Sequence, residues 1–156
     1  MMTSLSYDVI QALKGKTLVT AESCTGGGIG AALTAIPGSS AVYKGGIISY
    51  TNWVKVNILN VDGELLETYG AVSAQVAEAM AEGARKALQA DVAISVTGLA
   101  GPGGDEFDNP VGTVFIGYSD SRVINSTACY FTGDREEIRK QAIEMALKII
   151  SDYNIQ

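Results

Sequence analysis

The chain has 156 residues, 47% of them hydrophobic, and its 17 acidic and 11 basic residues give a net charge of -6. This length predicts one domain over residues 1–156, and the composition excludes disordered, collagen-like and coiled-coil proteins. The acidic balance argues against nucleic-acid binding, and no apolar run reaches the roughly 20 residues of a membrane helix. Cys24 and Cys129 are far apart in the sequence, which is typical of a reducing cytoplasm, where we expect the protein. Because the chain contains no histidine, catalytic triads and metal sites that need an imidazole are excluded within it.

The first third of the chain alternates helix and strand signals. An apolar stripe predicts a helix over 5–14, with Ser4 or Ser6 as its cap. The β-branched run over 17–22 predicts a buried strand. A glycine cluster then leads into a predicted helix over 23–36.

The middle of the chain continues the alternation. Residues 46–50 predict a second short strand, and Asn52 can cap the helical stretch that follows it. Ser73 is the predicted cap of a long helix that ends near residue 90. A third strand over 91–96 leads into a glycine-rich loop over 98–109.

The last third predicts a hairpin and a final helix. The strands are expected over 111–118 and 122–131, and Asp134 with Glu137 forms a capping box for the helix. Strands that alternate with helices imply a sheet covered on both faces. The sequence therefore predicts a three-layer α/β/α sandwich with a mixed, mostly parallel sheet of about five strands.

A turn rich in glycine follows the first predicted strand, and it begins with Ser23-Cys24-Thr25. The Ser23 hydroxyl would lie beside free backbone N–H groups at the positive end of a helix dipole, which favours an alkoxide, an oxyanion or a phosphate. Ser23 or Thr25 could equally be a simple N-cap. The glycines at 26–28 favour a functional role, because each costs about 1 kcal/mol inside a helix.

A tyrosine and a lysine follow the second predicted strand at positions where both can face one pocket. Tyr50 ends the strand, and Lys55 lies about one turn into the next helix. In a chain without histidine, a neutral lysine is a natural base for a serine, and burial can lower a lysine pKa by several units. Lys55 could also be an ordinary solvated lysine. Trp53 is expected in the core or at an interface.

The long loop after the third strand begins with Thr97-Gly98 and suits a substrate flap or a backbone cradle. Its acidic residues lack the spacing of an EF-hand, so we expect a solvated turn rather than a calcium site.

Arg135 and Arg139 lie in the first turns of the last helix, where cations oppose the helix dipole. They either bind an anion or pair with the nearby acids Asp134 and Glu137.

Seven motifs, taken in chain order, resemble those of a single family: TAESCTGG, GSS, G-x-x-S-Y-T-N-x-x-K, GAVS, TGLAGPGG, NPVGTV and FTGDRE. They resemble the C-terminal domain of the competence/damage-inducible protein CinA, the family of the nicotinamide-nucleotide amidases, also called nicotinamide mononucleotide deamidases. The likeness covers about residues 17–139. Some family members carry a further N-terminal domain that this sequence lacks, so we expect the stand-alone form.

The resemblance implies hydrolysis of the carboxamide of nicotinamide mononucleotide to nicotinate mononucleotide and ammonia, without a metal or an organic cofactor. Where the motifs match, the family's site residues carry over to Ser23, Ser40, Tyr50 and Lys55 as catalytic residues and to Thr25, Gly26, Gly27, Thr97, Gly98 and Arg135 as substrate-binding residues. The family often has Glu-Ala where this chain has Trp53-Val54. Because Lys55 keeps its spacing, this departure concerns substrate fit more than chemistry.

The expected chemistry is attack by Ser23 on the amide carbon while neutral Lys55 takes the serine proton. Backbone N–H groups at 26–28, or the Ser40 hydroxyl, would hold the oxyanion. Ammonia would leave with a proton from Lys55 or through Tyr50. Ser40 is the second candidate for the nucleophile, and direct attack by a lysine-activated water is a third mechanism.

The expected partners are a small-molecule nucleotide and further copies of the chain, with neither nucleic acid nor membrane. Arg135 and Thr97 would hold the phosphate or ribose, and Trp53 could serve a symmetric interface. Two other functions stay open at this point. One is a non-catalytic nucleotide-binding or interaction module, and the other is a Ser-Lys amidase that acts on a different small carboxamide.

Overall fold

Five strands form one sheet in the order β2-β1-β3-β4-β5. The protein is described here by a computed structural model that covers residues 2–155. The strands are β1 (Leu18–Glu22), β2 (Tyr43–Ile48), β3 (Val92–Gly98), β4 (Thr113–Ser119) and β5 (Ile124–Tyr130). Strand β1 pairs in parallel with β2 and β3, whereas β4 is antiparallel to both β3 and β5. Only β4 therefore runs against the other four, and the predicted mixed, mostly parallel sheet is confirmed.

Helices cover both faces of this sheet. They are α1 (Met2–Ala12), α2 (Gly28–Thr34), α3 (Asn52–Asn57), α4 (Gly63–Tyr69), α5 (Ala74–Ala87) and α6 (Arg135–Tyr153). Helix α5 packs across β1, β3, β4 and β5, while α2 packs on β1 and β2 and α6 on β3 and β4. The predicted α/β/α layering is confirmed. No helix within residues 2–155 has both the length and the apolarity needed to cross a membrane.

Alternating residues of the central strands divide the core between the two faces. In β1, Leu18 belongs to the cluster under α1, α2 and α6, whereas Val19 and Ala21 belong to the cluster under α5. Successive side chains of a strand point to opposite faces, so a central strand must be apolar on both. Helix α5 approaches β4 so closely that a side chain at Gly117 would meet the backbone of Ala77.

Two predicted helix starts are wrong. Helix α1 begins at Met2, so Ser4 and Ser6 lie inside it and neither is the cap. Helix α2 begins at Gly28 instead of residue 23, and its N-cap is Gly27. The reason is that Gly26 and Gly27 have φ values of 58° and 99°, in the left-handed region that interrupts a helix.

Other boundaries also move, while two caps are confirmed. Strand β2 begins at Tyr43, three residues before the predicted start, and Thr51 rather than Asn52 caps α3. Helix α4 was not predicted. Ser73 caps α5 by accepting a hydrogen bond from Val76 N–H. The capping box of Asp134 and Glu137 opens α6 as expected.

Candidate active site

The carboxyl ends of three parallel strands meet at one end of the sheet, which we call its carboxyl edge. Glu22, the last residue of β1, is in register with Ile48 of β2 and with Val96 of β3. The segments that follow these strands therefore leave the sheet side by side, at the place where ligands collect in open α/β sheets. The β3–β4 loop also starts here, and α6 begins near this edge because Tyr130, at the end of β5, pairs with Thr113.

A cleft of about 560 Å³ lies at this edge, within the usual size range of small-molecule sites. Six of the ten predicted site residues line it: Ser23, Tyr50, Lys55, Thr97, Gly98 and Arg135. An apolar wall faces them, formed by Leu66, Val72, Leu99, Ala100 and Phe107. The cleft thus joins a few polar groups to a surface on which a flat ring can pack.

Lys55 lies in α3 with its amine buried beside Ser23. The residue is 1% exposed. Its Nζ donates hydrogen bonds to Ser49 O at 2.8 Å, to Tyr50 O at 3.3 Å and to Ser23 Oγ at 3.2 Å. Within residues 2–155 the one ion pair joins Arg85 to Glu82, so no carboxylate of this region neutralises the amine. Lys55 is therefore not a solvated lysine.

Burial lowers the pKa of Lys55 from 10.5 to about 8, opposed by the nearby thiol of Cys24. Desolvation has this effect because a low-dielectric surrounding disfavours the charged form of an amine. When the amine is neutral, its two N–H groups can keep the two carbonyl acceptors. Its lone pair then faces the Ser23 hydroxyl, which donates in turn. This is the arrangement that a general base requires.

Ser23 follows β1 directly, and the sheet fixes its backbone. Its N–H donates to Val96 O at 2.9 Å, which extends the ladder between β1 and β3 by one residue. The neighbouring Cys24 also lines the cleft, but burial raises the pKa of its thiol to about 11. Because a thiol attacks as the thiolate, Cys24 is a weak nucleophile at neutral pH. Ser23 is the hydroxyl that contacts the lysine.

The start of α2 is filled by a carboxylate of the chain itself, which corrects the predicted anion site there. Glu22 is 2% exposed. Its Oε1 accepts hydrogen bonds from Thr25 Oγ1 at 2.7 Å and Ile29 N–H at 2.8 Å, and its Oε2 accepts from Gly30 N–H at 3.0 Å. The Gly26 and Gly28 N–H groups bond to carbonyls of the turn. The helix terminus is therefore closed to an oxyanion or a phosphate.

Three predicted binding residues are not among those that line the cleft. Thr25, Gly26 and Gly27 do not line the cleft, and the Thr25 side chain is fully buried against Glu22. A side chain at Gly27 would meet Ile48. These residues shape the turn that carries Ser23.

Ser40 lies at the other end of the strands, the amino edge of the sheet, which corrects its predicted place in the site. It belongs to a short 3₁₀ turn, Ser39–Ala41, just before β2 begins at Tyr43. Tyr43 is in register with Leu18, the first residue of β1, whereas Ser23 follows the last. At about 3.3 Å per residue, the length of β1 separates the two serines. Within one chain Ser40 can neither attack at Lys55 nor hold an oxyanion there.

Thr97 and Gly98 end β3 at the floor of the cleft. Thr97 Oγ1 donates to Ala71 O at 2.8 Å, which ties β3 to the segment before α5. Gly98 lies so close to β4 that a side chain would meet Val114. The structure therefore places both residues at the cleft and also gives each a packing role.

Arg135 reaches from the first turn of α6 to the mouth of the cleft. Its guanidinium donates to Gly101 O at 2.7 Å and to the Tyr50 hydroxyl at 3.3 Å. Asp134 and Glu137 are engaged in the capping box, and neither forms an ion pair with an arginine in the described part of the chain. The cation at the mouth is therefore free of a carboxylate partner there.

Two further residues considered in the sequence, Asp105 and Trp53, have clear places in the structure. Asp105 organises the turn of the β3–β4 loop, since its carboxylate accepts hydrogen bonds from Phe107 N–H and from the backbone and side chain of Asn109. Residues 2–155 contain no cluster of three side chains suited to a metal. Trp53 is 65% exposed, so it does not lie in the core of the chain, and its role at an interface stays a prediction.

Sequence reasoning missed two groups that hold the site. Ser49, fully buried, offers its carbonyl to the lysine amine. The sequence pattern predicts Glu22 only as the end of a strand, although an acid inside a buried run is itself a signal of an internal hydrogen-bonding role. The charge of Arg139 is visible in the sequence, but its contacts with the turn that carries Ser23 depend on the packing of α6.

The chain is similar to proteins of one known family. The family model for the CinA C-terminal domain matches residues 2–154. A CinA-like protein of Desulfotalea psychrophila is 47% identical over 155 residues, which are 98% of this chain and 38% of that protein. A CinA-like protein of Parasynechococcus marenigrum is 57% identical over 121 residues, 78% of this chain and 29% of that protein. The chain thus spans less than two fifths of these relatives.

Solved structures show the same fold. The competence/damage-inducible protein CihA from Agrobacterium tumefaciens aligns with a TM-score of 0.94 at 40% identity, covering 99% of this chain and 96% of that one. A CinA superfamily protein from Enterobacter cloacae aligns with a TM-score of 0.96 at 31% identity, covering 99% and 93%. The family match, the sequence relatives and these structures agree, and the chain belongs to the CinA C-terminal domain family.

Proposed function

We propose that the chain is a serine amidohydrolase that converts nicotinamide mononucleotide and water to nicotinate mononucleotide and ammonia. The observation that carries the proposal is the buried amine of Lys55, which has no carboxylate partner among the described residues and lies 3.2 Å from Ser23 Oγ. The substrate is suggested by the family and by the character of the cleft.

In the first step, neutral Lys55 accepts the proton of Ser23 while the serine oxygen attacks the amide carbon. A proton transfer of this kind needs a base within hydrogen-bond reach and a pKa near the working pH. A separation of 3.2 Å and a pKa of about 8 satisfy both conditions. The ammonium that forms is a positive charge close to the reacting serine, and its field would stabilise the negative charge of the tetrahedral intermediate.

In the second step, the carbon–nitrogen bond breaks and Lys55 returns the proton to the departing nitrogen, so that ammonia leaves. Water then attacks the acyl-serine, with Lys55 again as the base, and releases the carboxylic acid and free Ser23. The carbonyl oxygens of Ser49 and Tyr50 hold the amine in both protonation states. They therefore keep the base aimed at the serine through the cycle.

The rest of the cleft supports a nucleotide with a flat ring. The apolar wall of Leu66, Val72 and Phe107 suits the face of a pyridine ring. Arg135 at the mouth can give up its contacts with Gly101 O and Tyr50 to bind a phosphate, and a guanidinium bonds a phosphate with two parallel donors. The cation also offsets the repulsion between an acidic protein and an anionic substrate.

The test is ammonia release from nicotinamide mononucleotide by the wild type and by Ser23→Ala, with Ser40→Ala as the matched control. We expect Ser23→Ala to lose at least about 10³-fold in kcat, as removal of a nucleophile does. We expect Ser40→Ala to stay within about twofold of the wild type because it lies at the other edge of the sheet.

Other outcomes identify the alternatives. Activity that survives in Ser23→Ala would favour attack by a lysine-activated water. A wild type that binds the nucleotide without turnover would indicate a binding module. Turnover restricted to another small carboxamide would keep the Ser-Lys chemistry and replace the substrate.

A further inference from the structure

An arginine outside the cleft bonds the turn that carries Ser23. Arg139 lies one turn after Arg135 on α6, and its guanidinium faces the β1–α2 turn. Its Nε donates to Cys24 O at 2.9 Å, and one terminal nitrogen donates to Thr25 O at 3.2 Å. The same nitrogen would lie 3.4 Å from a side-chain carbon placed at Gly26, so the guanidinium is seated closely on the turn. Arg139 is not among the residues that line the cleft.

The opposite side of the turn is held by Glu22. Its carboxylate binds the Thr25 hydroxyl and two N–H groups of α2, as described above. The main chain of Glu22 also accepts a hydrogen bond from Ser49 N–H at 2.8 Å, and Ser49 in turn holds the lysine amine. Hydrogen bonds through Glu22 and Ser49 therefore connect the turn of the proposed nucleophile to the amine of the proposed base. Arg139 connects the same turn to α6.

We infer that Arg139 is a positioning residue for Ser23. The inference rests on the proposed role of Ser23 as nucleophile, but it does not depend on which carboxamide is hydrolysed. The carbonyls of residues 24 and 25 follow the serine directly. A guanidinium that binds both of these carbonyls therefore restricts the rotation of the turn. A misplacement of about 1 Å at a reacting group can reduce the rate by about 10²-fold.

The role predicts a specific kinetic pattern. Because Arg139 is away from the cleft lining, its loss should lower kcat and leave KM nearly unchanged. The pKa of Lys55 is shifted by burial and by Cys24, so the pH midpoint of the rate should also stay in place. A lysine at 139 keeps the charge but lacks the rigid fork that reaches two carbonyls, so it should restore only part of the rate.

The experiment uses Arg139→Met and Arg139→Lys, with Lys140→Met as the matched control on the exposed side of α6. Two rates are measured: ammonia release, and covalent labelling of Ser23 by a fluorophosphonate probe followed by intact-protein and peptide mass. Urea unfolding gives the folded fraction of each variant. We expect Arg139→Met to lose about 30- to 100-fold in both rates per folded molecule, Arg139→Lys to lie between it and the wild type, and Lys140→Met to stay within twofold.

The labelling rate separates this inference from the proposed substrate. A wild type that labels at Ser23 without hydrolysing nicotinamide mononucleotide would remove the substrate assignment, and the labelling rates of the variants would still decide the role of Arg139. Equal labelling of Arg139→Met and the wild type would overturn the inference. So would a loss that matches the unfolded fraction, unfolding of both variants, or a wild type in which Ser23 is not labelled.

Discussion

Replacement of Lys55 by methionine tests the burial of its charge through the pH dependence of stability. Methionine has a similar length and no charge, so Lys55→Met removes the titrating group and keeps most of the packing. The pKa of Lys55 is 10.5 in the unfolded reference and about 8 in the folded chain. Since one pKa unit corresponds to about 1.4 kcal/mol, the shift amounts to about 3 kcal/mol.

The direction in which stability changes with pH follows from proton binding. Between pH 8 and 10.5 the unfolded wild type binds more protons at this residue than the folded one, so the wild type gains stability as the pH rises. Below pH 8 the full penalty of the buried charge is present. The free energy of unfolding of the wild type minus that of Lys55→Met should therefore increase by about 3 kcal/mol from pH 7 to pH 11. Hydrogen bonds that the variant loses add a constant and leave this change intact.

Urea unfolding of both proteins at five pH values measures the difference directly. Lys148→Met, which removes an exposed lysine of α6, should give a nearly constant difference and serves as the control. A flat difference for Lys55→Met as well would mean that the amine has the same affinity for protons in the folded and unfolded chains, and the reasoning about its burial would then be refuted.

Three further outcomes are expected. The kcat for ammonia release should rise about tenfold per pH unit below a midpoint near pH 8, because only neutral Lys55 accepts a proton; a rate that is flat from pH 6 to 9 would contradict this. Arg135→Gln should raise KM for nicotinamide mononucleotide by about 10- to 100-fold, the value of a hydrogen bond to a charged group, and change KM for the riboside that lacks the phosphate by less than threefold; equal effects on both would rule out a phosphate contact. Thr25→Val should destabilise the fold by about 1.5–3 kcal/mol in urea unfolding, since it removes a donor to the buried carboxylate of Glu22. Thr34→Val at the exposed end of α2 should cost less than about 1 kcal/mol, and similar values for both variants would contradict the role assigned to Thr25.

Local sequence signals were sufficient for much of the fold. The β-branched run of β1 and the capping box of α6 predict their elements correctly, because burial on both faces and the cap are each encoded within a few residues. The β4–β5 hairpin also follows from two adjacent apolar runs. In each of these cases local propensity and tertiary packing favour the same structure.

The start of α2 shows where local signals fail. Ser23 and Thr25 have the chemistry of N-caps, and the prediction of a helix from residue 23 follows from it. The N–H groups at the true start of α2 instead bind the carboxylate of Glu22, while Gly26 and Gly27 take left-handed conformations. A side chain from the preceding strand has taken the place of a local cap, and no spacing rule indicates that.

The positions of the candidate site residues were predictable only in part. The segments after β1, β2 and β3 meet because parallel strands share a carboxyl edge, so Ser23, Lys55 and Thr97 come together as expected. Ser40 is also a serine in a glycine-containing turn, but it precedes β2 instead of following it. Ser40 also precedes the predicted strand over 46–50, so the strand pattern itself places it at the amino ends of the strands. Only the family resemblance assigned Ser40 to the site.

The central claim concerns the charge of one amine, and a direct titration of that amine tests it. Protein labelled with ¹³C at the ε-carbon of lysine gives a signal for Lys55 that Lys55→Met identifies by its disappearance. We predict that this signal titrates with a pKa of about 8, in step with the midpoint of kcat. A signal that stays in its charged form to pH 10 while ammonia release reaches its full rate at pH 8 would contradict the account.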